Sequence, residues 1–206
     1  ALLACDYVEI PESSSVSSIQ SKIKSLVSQR PNAEMIVIKG FDPVRFNLSN
    51  GATPVASTLD SACSTKPVFL ISFDLHSVWM NTKCIEYLGY DKKLPVELSR
   101  GIEFITKSSV GTTTNFTGYV KEGLILLYEL PILTKERLDQ ATQQVITGYA
   151  SYGFTGVEEG WASDITYNCY KELDLNNELN MYYEAPIFLS NYTYEFIEKF
   201  YASIYE

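Results

Sequence analysis

His76 is the single histidine of the chain, and it stands in Asp74-Leu75-His76-Ser77, directly after the apolar run Pro67-Val68-Phe69-Leu70-Ile71-Ser72-Phe73. An imidazole beside a carboxylate can act as a general base or hydrogen-bond a substrate, and Trp79 could wall such a pocket. The competing structural reading is a lone histidine tied to its neighbours at a strand end. Glu122 offers a second candidate, because Thr117-Gly118-Tyr119-Val120-Lys121-Glu122-Gly123 sets a carboxylate and an amine between two glycines. A catalytic or metal-binding carboxylate fits there, and so does a charged helix start. Glu158 and Glu159 form an acidic pair after Phe154-Thr155-Gly156-Val157 and could meet a ligand or simply water. Asp74, His76 and Ser77 supply the residue types of a hydrolase triad. A triad is a spatial arrangement that adjacent residues rarely achieve, and there is no G-x-S-x-G elbow, so a serine-nucleophile reading fails.

Composition narrows the chemistry further. With one imidazole in 206 residues, a site needing several histidines on one metal cannot be assembled from this chain. Twenty-five acidic against 16 basic side chains give a net charge of −9 and a pI near 4.7, which repels a phosphate backbone and excludes nucleic acid as a partner. No apolar run approaches the roughly 18 residues of a membrane-spanning helix. Cys5, Cys63, Cys84 and Cys169 are scattered without a C-x-x-C pair, as expected of buried, reduced thiols in a cytoplasmic protein. The 15 tyrosines are expected to fill core and interface rather than to stack bases.

The elements that must position these residues follow from periodicity. Ser17-Ser18-Ile19-Gln20 has the capping-box form, and Ile19, Ile23, Leu26 and Val27 recur at helical spacing up to Pro31. Met35 to Ile38 and Pro67 to Phe73 suit strands buried on both faces. A loop carrying Pro43, Gly51 and Pro54 separates them, with room for a short helix near its end. Asn81 to Leu88 predicts a helix stopped by Gly89, and residues 91–118 predict a loop or an edge hairpin. A long helix from Thr134 carries Leu138, Ala141, Val145, Tyr149 and Tyr152 and ends at Gly153. Then come a strand over 154–157, a helix capped by Asp164, an extended segment over 179–189 and a last helix from Thr193. Alternation of this kind predicts an α/β fold with a largely parallel sheet.

Phe73-Asp74-Leu75-His76-Ser77-Val78-Trp79-Met80-Asn81-Thr82-Lys83-Cys84-Ile85 closely resembles the D-G-H-S-A-W-V-N-S-K-A-L stretch of the YtcJ-like amidohydrolases, within amidohydrolase family 3. Met35 to Phe46 is similar to that family's W-I-x-G-x-G-W-D-x-x-x-W segment, and Lys66 to Leu70 to its K-P-V-F-L strand. Thr117 to Gly123 resembles T-G-V-L-x-E-x, and Tyr152 to Glu158 the G-I-T-S-V-x-D strand. Five blocks in family order thus lie between residues 30 and 160. Three departures stand out: Leu75 replaces a glycine, Phe41 and Phe46 replace tryptophans, and Glu158-Glu159 sit near the family's aspartate.

The resemblance implies a metal-dependent TIM-barrel hydrolase that cleaves amide-type carbon–nitrogen bonds of a small molecule with a metal-activated water. The divalent metal, zinc by preference, would be held in the intact parent and not by this chain alone. The family's H-x-H pair would precede Ala1 and its later ligands would follow Glu206, so the chain looks like an internal fragment, inactive by itself. Residues 1–130 would be an α/β insertion covering the substrate pocket, and residues 131–206 a partial (β/α) barrel of about two units. By position, His76 and Glu122 become the catalytic candidates, Glu122 a possible metal ligand, and Asp74, Trp79 and Asn81 the substrate-binding candidates. A cut barrel would leave open strand edges, so self-association or pairing with the missing barrel portion is expected. The rival reading is a non-catalytic α/β module used for binding or interaction.

Overall fold

A computed structural model describes residues 3–46, 54–93, 102–106, 116–160 and 164–185. The last helix expected from Thr193 lies outside them. The chain divides into two compact units, Ala1–Thr134 and Lys135–Glu206.

The first unit is built on one six-stranded sheet. Its strands are β1 (Val8–Glu9), β2 (Ile36–Phe41), β3 (Val68–Ser72), β4 (Ser77–Met80), β5 (Glu103–Thr106) and β6 (Phe116–Lys121), in the order β1-β2-β3-β4-β6-β5. Strands β1, β2 and β3 pair in parallel, while β3–β4, β4–β6 and β6–β5 are antiparallel. The largely parallel sheet expected from alternation is therefore corrected to a mixed one. The cause is local: Leu75 takes φ 67°, so the chain reverses within Phe73–His76 instead of entering a crossover helix. Residues 91–118, which suit a loop or an edge hairpin, hold β5 and the start of β6, and the two strands pair antiparallel at the sheet edge.

The sheet is covered on both sides because β2 and β3 carry apolar residues at consecutive positions. Ile36, Ile38, Val68, Leu70, Trp79 and Tyr119 face one layer, packed with Ile19, Ile23 and Leu26 of helix α1 (Val16–Gln29) and Leu59 of helix α2 (Ala56–Asp60). Val37, Phe69, Ile71, Val78, Met80 and Val120 face the other, with Cys84 and Ile85 of helix α3 (Thr82–Tyr87) and Leu126 and Leu127 of the 3₁₀ turn Leu124–Glu129. The α1 cap sits earlier than the capping-box pattern predicted. Ser15 accepts from the Ser18 amide, and Gln20 is free to donate 2.7 Å to the Thr58 carbonyl, tying α1 to α2.

The second unit comprises helix α4 (Lys135–Ser151), strand β7 (Gly156–Glu158), helix α5 (Asp164–Leu175) and strand β8 (Tyr182–Glu184), with β7 and β8 parallel in a βαβ arrangement. Ala141 and Ile146 are the buried positions of α4, whereas Tyr149 and Tyr152, expected on the inner stripe, are exposed. Tyr170 of α5 stacks on Tyr183 of β8 with ring centroids 3.8 Å apart. All four cysteines are buried, and none forms a disulfide.

Candidate functional site

Strands β1, β2 and β3 run toward one edge of the sheet, β4 starts from that edge, and β6, antiparallel to β4, returns to it. In open α/β sheets ligands bind beyond such carboxyl ends. The turn from β3 to β4 is built there by a short relay of hydrogen bonds. Asp74 Oδ1 accepts from Ser72 Oγ (2.5 Å) and from the His76 amide (3.1 Å), while Ser72 Oγ accepts from the Ser77 amide (2.8 Å). Asp74 is thereby the side chain that holds the turn in shape.

Glu122 arrives from the end of β6, next to Ser77 through the Ser77–Lys121 register. Its own φ is 52°, which swings the chain out of the strand. The Gly123 amide then donates 2.9 Å to the His76 carbonyl. A side chain at Gly123 would meet Val78 Cγ2 at 2.7 Å, and one at Gly118, where φ is 90°, would meet the Met80 carbonyl oxygen at 2.5 Å. Both glycines of the sequence block thus serve the close approach of β6 to β4. The outcome is a contact between residues 46 apart in sequence: His76 Nδ1 lies 2.7 Å from Glu122 Oε2. Both side chains are well exposed, at 63% and 57%. The hydrogen bond to Glu122, then its charge, raise the His76 pKa above the ordinary imidazole value, with a smaller contribution from Asp74.

The remaining candidates fall elsewhere. Trp79 is 1% exposed, donates its indole N–H to the Val55 carbonyl (3.1 Å) and meets Phe41 edge-on, so it is a core residue and not the wall of an open pocket. Asn81 is fully buried and caps α3. Its Oδ1 accepts from the Val68 and Cys84 amides, and its Nδ2 donates to the Cys63 and Lys66 carbonyls. Ser77 is buried and accepts a 3.0 Å hydrogen bond from the Tyr119 hydroxyl. Glu158 ends β7 in the second unit, and Glu159 accepts 2.6 Å from the Tyr183 hydroxyl, whose pKa is pushed up by burial and by this bond.

One feature of the same sheet edge escaped sequence reasoning. A cleft at the ends of β1 and β2 is lined by Glu9, Pro11, Glu12, Lys39, Gly40 and Phe73. Lys39 donates 2.7 Å to Glu9, its register partner on β1, and Phe73 of the lining is 39% exposed. Strand β1 has only two residues, too few for periodicity to reveal, although an aromatic ending the β3 run was a usable signal.

No group of three His, Cys, Asp or Glu side chains among the described residues could hold a metal ion. His76 and Glu122 are bonded to each other, and one imidazole with one carboxylate falls short of the three protein ligands of a catalytic zinc site. The described residues do not fit a complete metal centre.

The amidohydrolase family model matches residues 6–194, and the chain belongs to that family. A curated relative, the exoenzymes regulatory protein AepA of Pectobacterium carotovorum subsp. carotovorum, is 23% identical over 188 residues, covering 90% of this chain and 40% of its own length. The fold is similar to crystal structures of two uncharacterized metal-dependent hydrolases. That from Pyrococcus horikoshii OT3 has a TM-score of 0.59 at 17% identity, covering 98% of this chain and 36% of the other. That from Pyrococcus furiosus has a TM-score of 0.52 at 20% identity, covering 87% and 33%. The chain therefore spans well under half the length of each of these proteins.

Proposed function

We propose that this chain is the pocket-covering region and part of the barrel of a metal-dependent amidohydrolase that cleaves amide-type carbon–nitrogen bonds of a small molecule in the cytoplasm. The YtcJ-like branch is the one its sequence blocks favour. The observation that carries the reading is the His76–Glu122 contact: two blocks matched to the family for their letters alone meet at 2.7 Å on the ligand-binding edge of the sheet. Asp74 shapes the turn that presents His76, and the Lys39–Phe73 cleft extends the same edge. The divalent metal, zinc by expectation, belongs to ligands outside the described residues, and no reaction step is assigned to it. The residues of this chain bind and orient the substrate and hold a proton at the His76 ring.

The test compares two purified proteins, the 206-residue chain and the longer product of the same gene. Metal content and hydrolysis of a panel of N-acyl and cyclic amides are measured for both. Metal and turnover in the longer protein alone support the reading. Stoichiometric metal with turnover in the 206-residue chain overturns it.

A second reading, a non-catalytic binding module, is favoured by one observation: the curated relative is named as a regulatory protein. The flanking coding sequence discriminates. An H-x-H upstream and separated histidines downstream support the enzyme, and their absence supports the module.

A further inference from the structure

We infer that Glu122 is a positioning residue for His76: it holds the imidazole with its proton on Nδ1, so that Nε2 is left as the proton acceptor turned to the ligand. This deepens the amidohydrolase reading and rests on it for the identity of the ligand, though not for the geometry. A carboxylate is acceptor-only when ionised, so the 2.7 Å contact requires a proton on the histidine nitrogen it faces. A neutral imidazole carries one ring proton, and with that proton committed to Glu122 the lone pair resides on Nε2. The backbone independently fixes both partners. Glu122 is aimed by its left-handed φ of 52° and by the Gly123 amide bonded to the His76 carbonyl, and His76 by the turn that Asp74 ties through the His76 amide.

Among the described residues, two carboxylates act on the ring. Glu122 faces it from the end of β6 and Asp74 from the turn. Lys121, the neighbour of Glu122, is engaged 2.8 Å away by Glu103 of β5. The arrangement matches the chemistry of a general base whose orienter is a carboxylate, and it suits a ligand that offers an N–H or O–H to be bound or deprotonated. An amide N–H or a water molecule are both of this class.

A single histidine makes the test direct, because one imidazole yields one set of ring signals. The 206-residue chain, labelled with ¹⁵N and ¹³C, is titrated while long-range ring correlations report which nitrogen carries the proton. Above the His76 titration the wild type is expected to show the Nδ1-protonated tautomer. Glu122→Gln is expected to lower the His76 pKa and to move the ring toward the Nε2-protonated form. Glu122→Gly, which tolerates the left-handed φ, serves as the second variant and is expected to do the same. Lys121→Ala is expected to leave the tautomer unchanged. An Nε2-protonated wild type, or an unmoved tautomer and pKa in both Glu122 variants, overturns the inference. Because the readout needs no turnover, the tautomer can hold while the longer protein fails to hydrolyse amides, and the two claims fail separately.

Discussion

Leu75 occupies a left-handed backbone position, φ 67°, where the resembled family carries glycine. An L-residue there costs about 1–2 kcal/mol, and a β-branched one is more strongly disfavoured. The leucine side chain packs partly against the core, which offsets some of that cost. Leu75→Gly is accordingly expected to stay within about 1 kcal/mol of wild type, relief of strain roughly balancing lost packing and added chain entropy. Leu75→Val is expected to destabilise by about 1–2 kcal/mol. Urea denaturation of the two variants checks the order, and a valine variant as stable as the glycine variant would contradict the strained-turn account.

The His76–Glu122 pair has a pH consequence of definite sign. The folded state raises the His76 pKa, so folding favours the protonated ring. The stabilisation is fully present below the unfolded-state pKa and disappears as pH rises through the higher folded value. Glu122→Gln should therefore be less stable than wild type on the acid side of that window and should converge with it on the alkaline side. The difference is expected to be small, because both side chains are more than half exposed. Denaturation midpoints measured across the His76 titration provide the check.

At the scale of elements, Asn81 joins three of them. It caps α3, accepts the amide of Val68 at the start of β3, and donates to the Cys63 and Lys66 carbonyls of the segment after α2. Losing a cap costs about 0.5–2 kcal/mol, and each buried polar group left unpaired costs about 1–3 kcal/mol. Asn81→Ala is expected to destabilise the first unit by at least about 3 kcal/mol. Asn81→Asp should retain the two accepted bonds yet set a carboxylate against two carbonyls, and it should remain clearly destabilised. Thermal melts of both variants test this, and an aspartate variant equal to wild type would show that the donated bonds contribute little. By its letters alone the same asparagine suits a substrate contact, because a polar residue beside a site-like motif looks the same in one dimension whether it faces ligand or core.

Across the whole molecule the two units differ in how well they bury themselves. Two clusters enclose the first unit's sheet, whereas the second unit's buried cluster is Ile146, Leu173 and Met181. Of the nine large exposed apolar residues among those described, six lie in the second unit: Tyr149, Tyr152, Phe154, Ile165, Leu175 and Tyr182. Its sheet has two strands among the described residues, and such a pair exposes unpaired backbone groups on its outer edges. Self-association of the 206-residue chain is the expected outcome, seen by analytical ultracentrifugation as mass rising with concentration. A strict monomer that unfolds in a single cooperative step at high concentration would count against it.

Much of this was legible in the letters. The double-faced strands β2 and β3, helices α1 and α4 and the family relationship follow from apolar spacing and from blocks of residue types, which are local properties. The single histidine and the spread of cysteines bound the metal chemistry by composition alone. Strand β4 was not legible: four residues at the end of a motif carry too little period, and its antiparallel direction depends on one left-handed residue, Leu75. Nor could spacing separate Trp79 and Asn81, which are buried, from Asp74 and His76, which reach the surface. Pairing His76 with Glu122 across 46 residues was decided by the register of β4 on β6, since contact between distant segments is a property of the folded sheet and not of either segment alone.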